Sequence, residues 1–228
     1  MPIADKPAAP VARIRSVIER LMAEGSIIAK ADASTHDVRG VSITAGEGEA
    51  LARWALREKA MRTIEIGLAY GVSALHICRA LVESGASEAR HVVLDPFQET
   101  RFANCGLQAL EEAGVSSLVE FHAEMSQIAL PRFLKEQRCF DFAFVDGNHR
   151  FDSVFVDLFY LGRLLRKGGV ILLDDYQLPG IRRAVSFYVT NLNWRVEEEC
   201  SRDELHHWVV VRTADADDTR DYRYFVDF

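Results

Sequence analysis

The sequence predicts a doubly wound α/β fold: a mostly parallel, seven-stranded sheet with helices on both faces, preceded by an N-terminal helical extension. Two patterns carry that expectation. From Arg62 onward, short apolar runs alternate with stretches of helical spacing, as βαβ units do. The runs are followed at once by Gly67, Asp95, Asp146 or Asp174, and in such sheets ligands sit outside the carboxyl ends of the strands. No internal repeat or low-complexity tract competes with this assignment.

Val11, Ile14, Val17, Ile18 and Leu21 recur at helical spacing, which predicts an amphipathic helix over 11–23 that stops at Gly25 and packs or dimerises. The segment 25–45 is the candidate boundary between an extension, 1–45, and the main domain, 46–228. A second helix starts at Gly46 or Glu47 with Ala50, Leu51, Trp54 and Ala55 on one face. Strands are expected over 63–66, 91–94, 118–121, 140–145 and 170–173, and helices over 72–82, 100–113, 127–135 and 151–165. Arg166 and Lys167 followed by Gly168 and Gly169 read as the C-cap of the last of these helices. A helix over 181–192 and strands over 194–196 and 207–211 complete the seven.

At 228 residues, 49% apolar and 27% charged, the chain has the balance of a soluble globular protein of one domain with a short extension. Its net charge of −7 repels polyanions, so nucleic acid is not an expected partner. No apolar stretch approaches the ~20 residues that span a bilayer, and the first ten residues lack a signal peptide's apolar core. A cytoplasmic protein without a membrane partner is expected. Cys78, Cys105, Cys139 and Cys200 form no C-x-x-C pair and read as buried thiols.

The residues after each strand carry the chemistry. Gly67 and Gly71 allow a tight turn and close approach to a ligand, or an ordinary strand-to-helix turn; the third glycine of a nicotinamide fingerprint is missing. Asp95 is placed to accept hydrogen bonds from a ribose diol, or to close a turn before Pro96. Ser126 is a candidate N-cap whose neighbours could meet a purine edge, and His122 a structural residue. If strands four and five are neighbours, Asp146, Asp174 and Asp175 converge, and like charges that close call for a proton or a cation. Oxygen-only ligands suit a hard ion such as Mg²⁺ or Ca²⁺; turn and capping roles are the alternative. His149 on the same loop is a general base, a ligand or a structural residue. Asp152 and Asp157 are expected on a solvated face or at a cap, and His206 and His207 as structural residues of the closing strand.

Taken together, Glu65-x-Gly67-x-x-x-Gly71-x-Ser73, Asp95, Met125-Ser126, Val145-Asp146-Gly147 and Gly168-Gly169-x-x-x-x-Asp174-Asp175-Tyr resemble the class I S-adenosylmethionine-dependent methyltransferases over about 40–212. The likeness is to catechol-type and sugar O-methyltransferase members. It implies a Rossmann-like methyltransferase fold, S-adenosyl-L-methionine as cofactor, and transfer to a hydroxyl of a small molecule with help from a divalent cation, Mg²⁺. It assigns the 67–71 loop to the methionine moiety, Ser73 to its carboxylate, Glu65 to its amino group through water, and Asp95 to the ribose. Met125 and Ser126 would flank the adenine, Asp146, Asp174 and Asp175 would hold the metal, and Asp146 would also lie near the reacting methyl. Two positions depart from the catechol-type pattern: His149 stands where a lysine base is common, and Asp175 where asparagine is common. The likeness also implies a homodimer through the N-terminal helices. Alternatives are a cofactor-binding protein without transfer, a metal-dependent oxygenase on the same fold, and a nicotinamide oxidoreductase. Acceptor specificity is expected in 25–45, 176–180 and the acidic tail 215–228.

Overall fold

The structure is a computed structural model that describes residues 8–200 and 206–228; the first seven residues of the expected extension lie outside them. Helix α1 (Ala8–Glu24) leads into a small hairpin, β1 (Ser26–Ile28) and β2 (Thr35–Asp37), and then α2 (Ala45–Arg57). The alternating part follows as β3 (Arg62–Ile66), α3 (Val72–Glu83), β4 (Arg90–Leu94), α4 (Cys105–Ala113), β5 (Val119–His122), α5 (Ser126–Lys135), β6 (Phe140–Val145), α6 (Phe151–Leu164) and β7 (Leu165–Leu173). Helix α7 (Pro179–Leu192) and strands β8 (Arg195–Glu199) and β9 (Val209–Arg212) close the chain.

The seven strands lie in the order β5-β4-β3-β6-β7-β9-β8, with β9 antiparallel to both neighbours. The order reverses between β3 and β6, so a crevice opens there at the carboxyl ends. Alternate side chains of each buried strand serve opposite layers. Phe142 and Phe144 of β6 join the layer built on α1 to α4, while Ala143 and Val145 join the layer of α5, α6 and α7. Ile14, Val17, Ile18 and Leu21, the stripe seen in the sequence, bury α1 in the first layer, and Arg13 and Arg20 tie it to Glu112 of α4.

Five local expectations need correction. The β1–β2 hairpin was not anticipated, because three-residue strands are too short to show a period. Helix α4 begins at Cys105 and not near 100, since Ala103 and Asn104 both adopt positive φ. Gly168 and Gly169 do not cap α6: Leu165 is already extended, pairs with Phe140, and β7 runs through the glycines with a register shift opposite Phe140 and Phe142. Ser126 is not an N-cap; Met125 holds that place without a side-chain bond. Of the four free thiols, Cys78 and Cys105 are buried as expected, whereas Cys139 and Cys200 are half-buried.

Gly67 has φ +95°, and a Cβ built on it would overlap the Asp146 carbonyl, which is backbone and cannot swing aside. Gly85 has φ +70° with open space around its Cβ position. Gly85→Ala therefore carries only the strain of left-handed backbone, ~1–2 kcal/mol. Gly67→Ala adds a steric collision to that strain and should lose more than ~3 kcal/mol. Urea unfolding of the two variants checks the difference.

Candidate active site

Hydrogen bonding continues one residue past the ends of the central strands and sets the site. Gly67 N donates to Leu94 O, Asp95 N to His122 O, Asp146 N to Ile66 O and Asp174 N to Val145 O. The four residues that follow β3, β4, β6 and β7 thus form a row across the sheet. Above that row lies a cavity of about 560 Å³, a size that suits a nucleoside-sized ligand together with a small substrate.

At one end of the row the glycine turn is latched by Asp95. Its Oδ2 accepts hydrogen bonds from Leu68 N at 3.2 Å, Ala69 N at 3.0 Å and Gln98 Nε2 at 2.8 Å, and Oδ1 accepts from Phe97 N at 2.8 Å. Gln98 is itself bonded to Ala69 O, so one amide clips the carboxylate to the loop it organises. Oδ1, with a single partner, keeps acceptor capacity for a ligand hydroxyl. Behind the loop, buried Glu65 accepts from Ser73 Oγ and from His91 Nε2, which in turn has Thr63 on its other ring nitrogen.

At the other end three carboxylates and two imidazoles crowd together. His149 bridges Asp146 (Nε2 to Oδ1, 3.2 Å) and Asp175 (Nδ1 to Oδ2, 2.8 Å). The bonds to Asp146 and then to Asp175 hold its proton up to about 10, so between these two partners it is an imidazolium and no base. Burial pushes Asp174 up to about 7, aided by the charge of Asp146. Burial also raises Asp146, against the pull of His149, whereas the bond from His149 lowers Asp175. Asp175 adopts φ +55° and its Oδ1 accepts from Gln177 at 2.6 Å. Ligand atoms of Asp146, His149 and Asp175 lie within 4.8 Å of one another, as do those of Asp174, Asp175 and His206.

This geometry meets its match among known proteins. Residues 64–176 fit the model of a methyltransferase domain. Over that stretch the chain is similar to the methyltransferase-domain family. It is 30% identical over 169 residues to tricin synthase 1 of Oryza sativa subsp. japonica, which covers 67% of the chain and 65% of the relative. It is 31% identical over 143 residues to a caffeoyl-CoA O-methyltransferase of Populus kitakamiensis, covering 60% of the chain and 55% of the relative. The chain thus spans between about half and two thirds of the length of these curated relatives. Among solved structures, the O-methyltransferase TomG of Streptomyces achromogenes, in complex with SAM, superimposes with a TM-score of 0.68 at 20% identity, over 93% of this chain and 91% of that one. An O-methyltransferase of Bacillus cereus in complex with SAH gives 0.67 at 18%, over 89% and 90%. These two likenesses establish the Rossmann-like fold of the methyltransferase family.

Of the residues singled out in the sequence, the fold brings Gly67, Asp95, Met125, Ser126, Asp146, His149, Asp174 and Asp175 to the wall of one cavity. Glu65, Gly71 and Ser73 stand behind that wall, the two side chains bonded to each other. Among the regions expected to choose the acceptor, 25–45 reaches the wall through Gly40 and Val41; 176–180 and 215–228 do not. His206 lies ahead of β9 and not within it, and it reaches the cavity. Phe97, Arg101 and Phe102 line it as well, with no sequence signal beyond their nearness to Asp95. Asp157 is neither solvated nor a cap: it is 1% exposed on α6.

Two outcomes follow. In Asp95→Asn one of the two carboxylate oxygens becomes an NH₂ group, which cannot accept from the loop amides, so cofactor affinity should fall on the order of 10²-fold, read by calorimetric titration with S-adenosylhomocysteine. Burial pushes Asp157 up to about 7, whereas the unfolded chain ionises it in the ordinary carboxylate range. The folded state then holds the extra proton between about pH 4 and 7, so stability is complete below that window, falls across it, and is level above. Asp157→Asn should remove the loss and gain up to roughly 4 kcal/mol at pH 8 with little gain at pH 4. Urea unfolding at the two pH values reads this, and an equal gain at both would refute it.

Proposed function

We propose that the protein is an S-adenosylmethionine-dependent O-methyltransferase that acts on a hydroxyl of a small molecule with the help of a divalent cation. The observation that carries this reading is that Asp95 and the Asp146, Asp174 and Asp175 group line the same cavity. The O-methyltransferase names of the plant relatives agree with it. The donor set fits a cation: three carboxylates of which burial raises two, and which the bridging His149 serves only in part.

When bound, S-adenosylmethionine supplies an electrophilic methyl on a sulfonium, and a divalent cation on Asp146, Asp174 and Asp175, Mg²⁺ for an oxygen-only set, stabilises the acceptor's hydroxylate and relieves His149 of its two carboxylate partners. The chain's own part is binding, alignment and proton handling. The 67–71 turn, fixed by Asp95, holds the methionine and ribose portion, and Met125 and Ser126 flank the base. The strand-end row would align an acceptor oxygen with the bound cofactor, and the cavity wall of Phe97, Phe102 and Val41 would limit water. Once neutral, His149 would accept the proton of the acceptor hydroxyl as the methyl passed from sulfur to oxygen.

Asp146→Asn and Asp175→Asn should each lower transfer to a panel of phenolic and sugar hydroxyls by on the order of 10²-fold or more while S-adenosylhomocysteine binding persists. Full transfer in excess EDTA would defeat the cation half of the proposal, and failure to bind S-adenosylhomocysteine would defeat the whole.

A further inference from the structure

Asp146, Asp174 and Asp175 alone make the proposed cation site a set of oxygens. His206 changes its character. A ring nitrogen of His206 lies within 4.8 Å of carboxylate oxygens of both Asp174 and Asp175, and the residue lines the cavity. Its Nδ1 is buried and has no hydrogen-bond partner among the described residues. An imidazole nitrogen withheld from both water and protein costs ~1–3 kcal/mol, a cost that a ligand at that nitrogen removes.

The backbone holds this imidazole in place from two sides. His207 N donates to Gln177 Oε1 at 3.1 Å, and Tyr176 N donates to His207 O at 2.6 Å. Gln177 in turn donates to Asp175 Oδ1. His206 O accepts from Cys200 Sγ, and β9 pairs with β7 from Val209 opposite Leu173. The segment that carries His206 is therefore registered to the segment that carries Asp174 and Asp175, as hydrogen bonds behind the ligands of a metal site hold them in place.

We propose that His206 is a fourth member of the cation set and that the site takes a divalent transition-metal ion with mixed nitrogen and oxygen ligation, of the Fe²⁺, Co²⁺ or Zn²⁺ class, in preference to Mg²⁺. Mg²⁺ binds oxygen and gains little from an imidazole, whereas imidazole with carboxylates suits the later first-row ions. The inference rests on the cation half of the reading above and changes the identity of its ion. It does not alter the roles given to Asp95 and the glycine turn.

The test uses the full chain stripped with EDTA and then dialysed, titrated calorimetrically with CoCl₂ and with MgCl₂ as wild type, His206→Ala and His206→Asp. S-adenosylhomocysteine binding by each form reports that the fold is intact. His206→Ala should weaken Co²⁺ by ~10–100-fold and Mg²⁺ by less than ~3-fold. His206→Asp, which swaps nitrogen for oxygen, should retain Mg²⁺ and narrow the preference for Co²⁺ by a similar factor; it also serves if the alanine variant does not fold. Equal loss of both ions, or unchanged Co²⁺ affinity in both variants, overturns the role of His206 and leaves the cation reading standing. No binding of either ion to wild type that still binds S-adenosylhomocysteine overturns both the inference and the cation half of the proposed function.

Discussion

The site depends on parallel strands ending in register at the point where the strand order reverses. Ile66 of β3 pairs with Leu94 on one side and with Val145 on the other, and Val145 pairs with Leu173. The next residue on each strand is held by one more backbone bond, so Gly67, Asp95, Asp146 and Asp174 are placed by the sheet itself. Their side chains need little loop order to converge, since the layers of Phe142 and Phe144 on one face and Ala143 and Val145 on the other fix the strands beneath them. A one-residue slip of β6 would turn these four to the opposite layers and withdraw Asp146 from the cleft at the same stroke.

This placement has an electrostatic consequence. Asp146 and Asp174 follow neighbouring strands and share a half-dry crevice, where two negative charges are unfavourable unless something positive joins them. Within the chain that role falls to His149, which donates to Asp146 and Asp175 at once. Burial, with the charge of Asp146 beside it, makes Asp174 hold a proton up to about 7. The Asp95 end shows the opposite design. Asp95 sits among donors of its own chain, two loop amides, one amide of its own turn and the Gln98 side chain, and acts through the shape it gives to the turn as well as through its free lone pair.

The order of elements and the strand-end residues were legible because they are local: a strand and the residue after it lie together in the chain. The reach of His206 was not, for it depends on β9 returning antiparallel beside β7 and on Gln177 bridging the two segments. Gly168 and Gly169 fit a helix cap and a strand bulge equally well in sequence; pairing of Leu165 with Phe140 and the ion pair of Arg166 with Glu58 decide for the strand. The burial of Asp157 has a signal in the sequence. The residue falls at i+3 from Val154 with Leu158 and Leu161 at i+4 and i+7, the buried stripe of α6, where a carboxylate is costly to ionise.

Gly67 is where the two ends of the site become one device. Its missing side chain lets the β3 turn rest directly on the Asp146 carbonyl, backbone against backbone. The group that would carry the methyl and the group that would hold the acceptor are then spaced by a contact without rotatable bonds. Alignment of two reactants is the main demand of a displacement at a methyl group, and a spacing built from main chain loses no side-chain entropy when the ligands arrive. Variation is left to the edges of the cavity, where Gly40 and Val41 come from the segment after the hairpin and His206 from the segment before β9. Neither segment takes part in the row, so both can vary while the strand-end geometry stays as the sheet sets it.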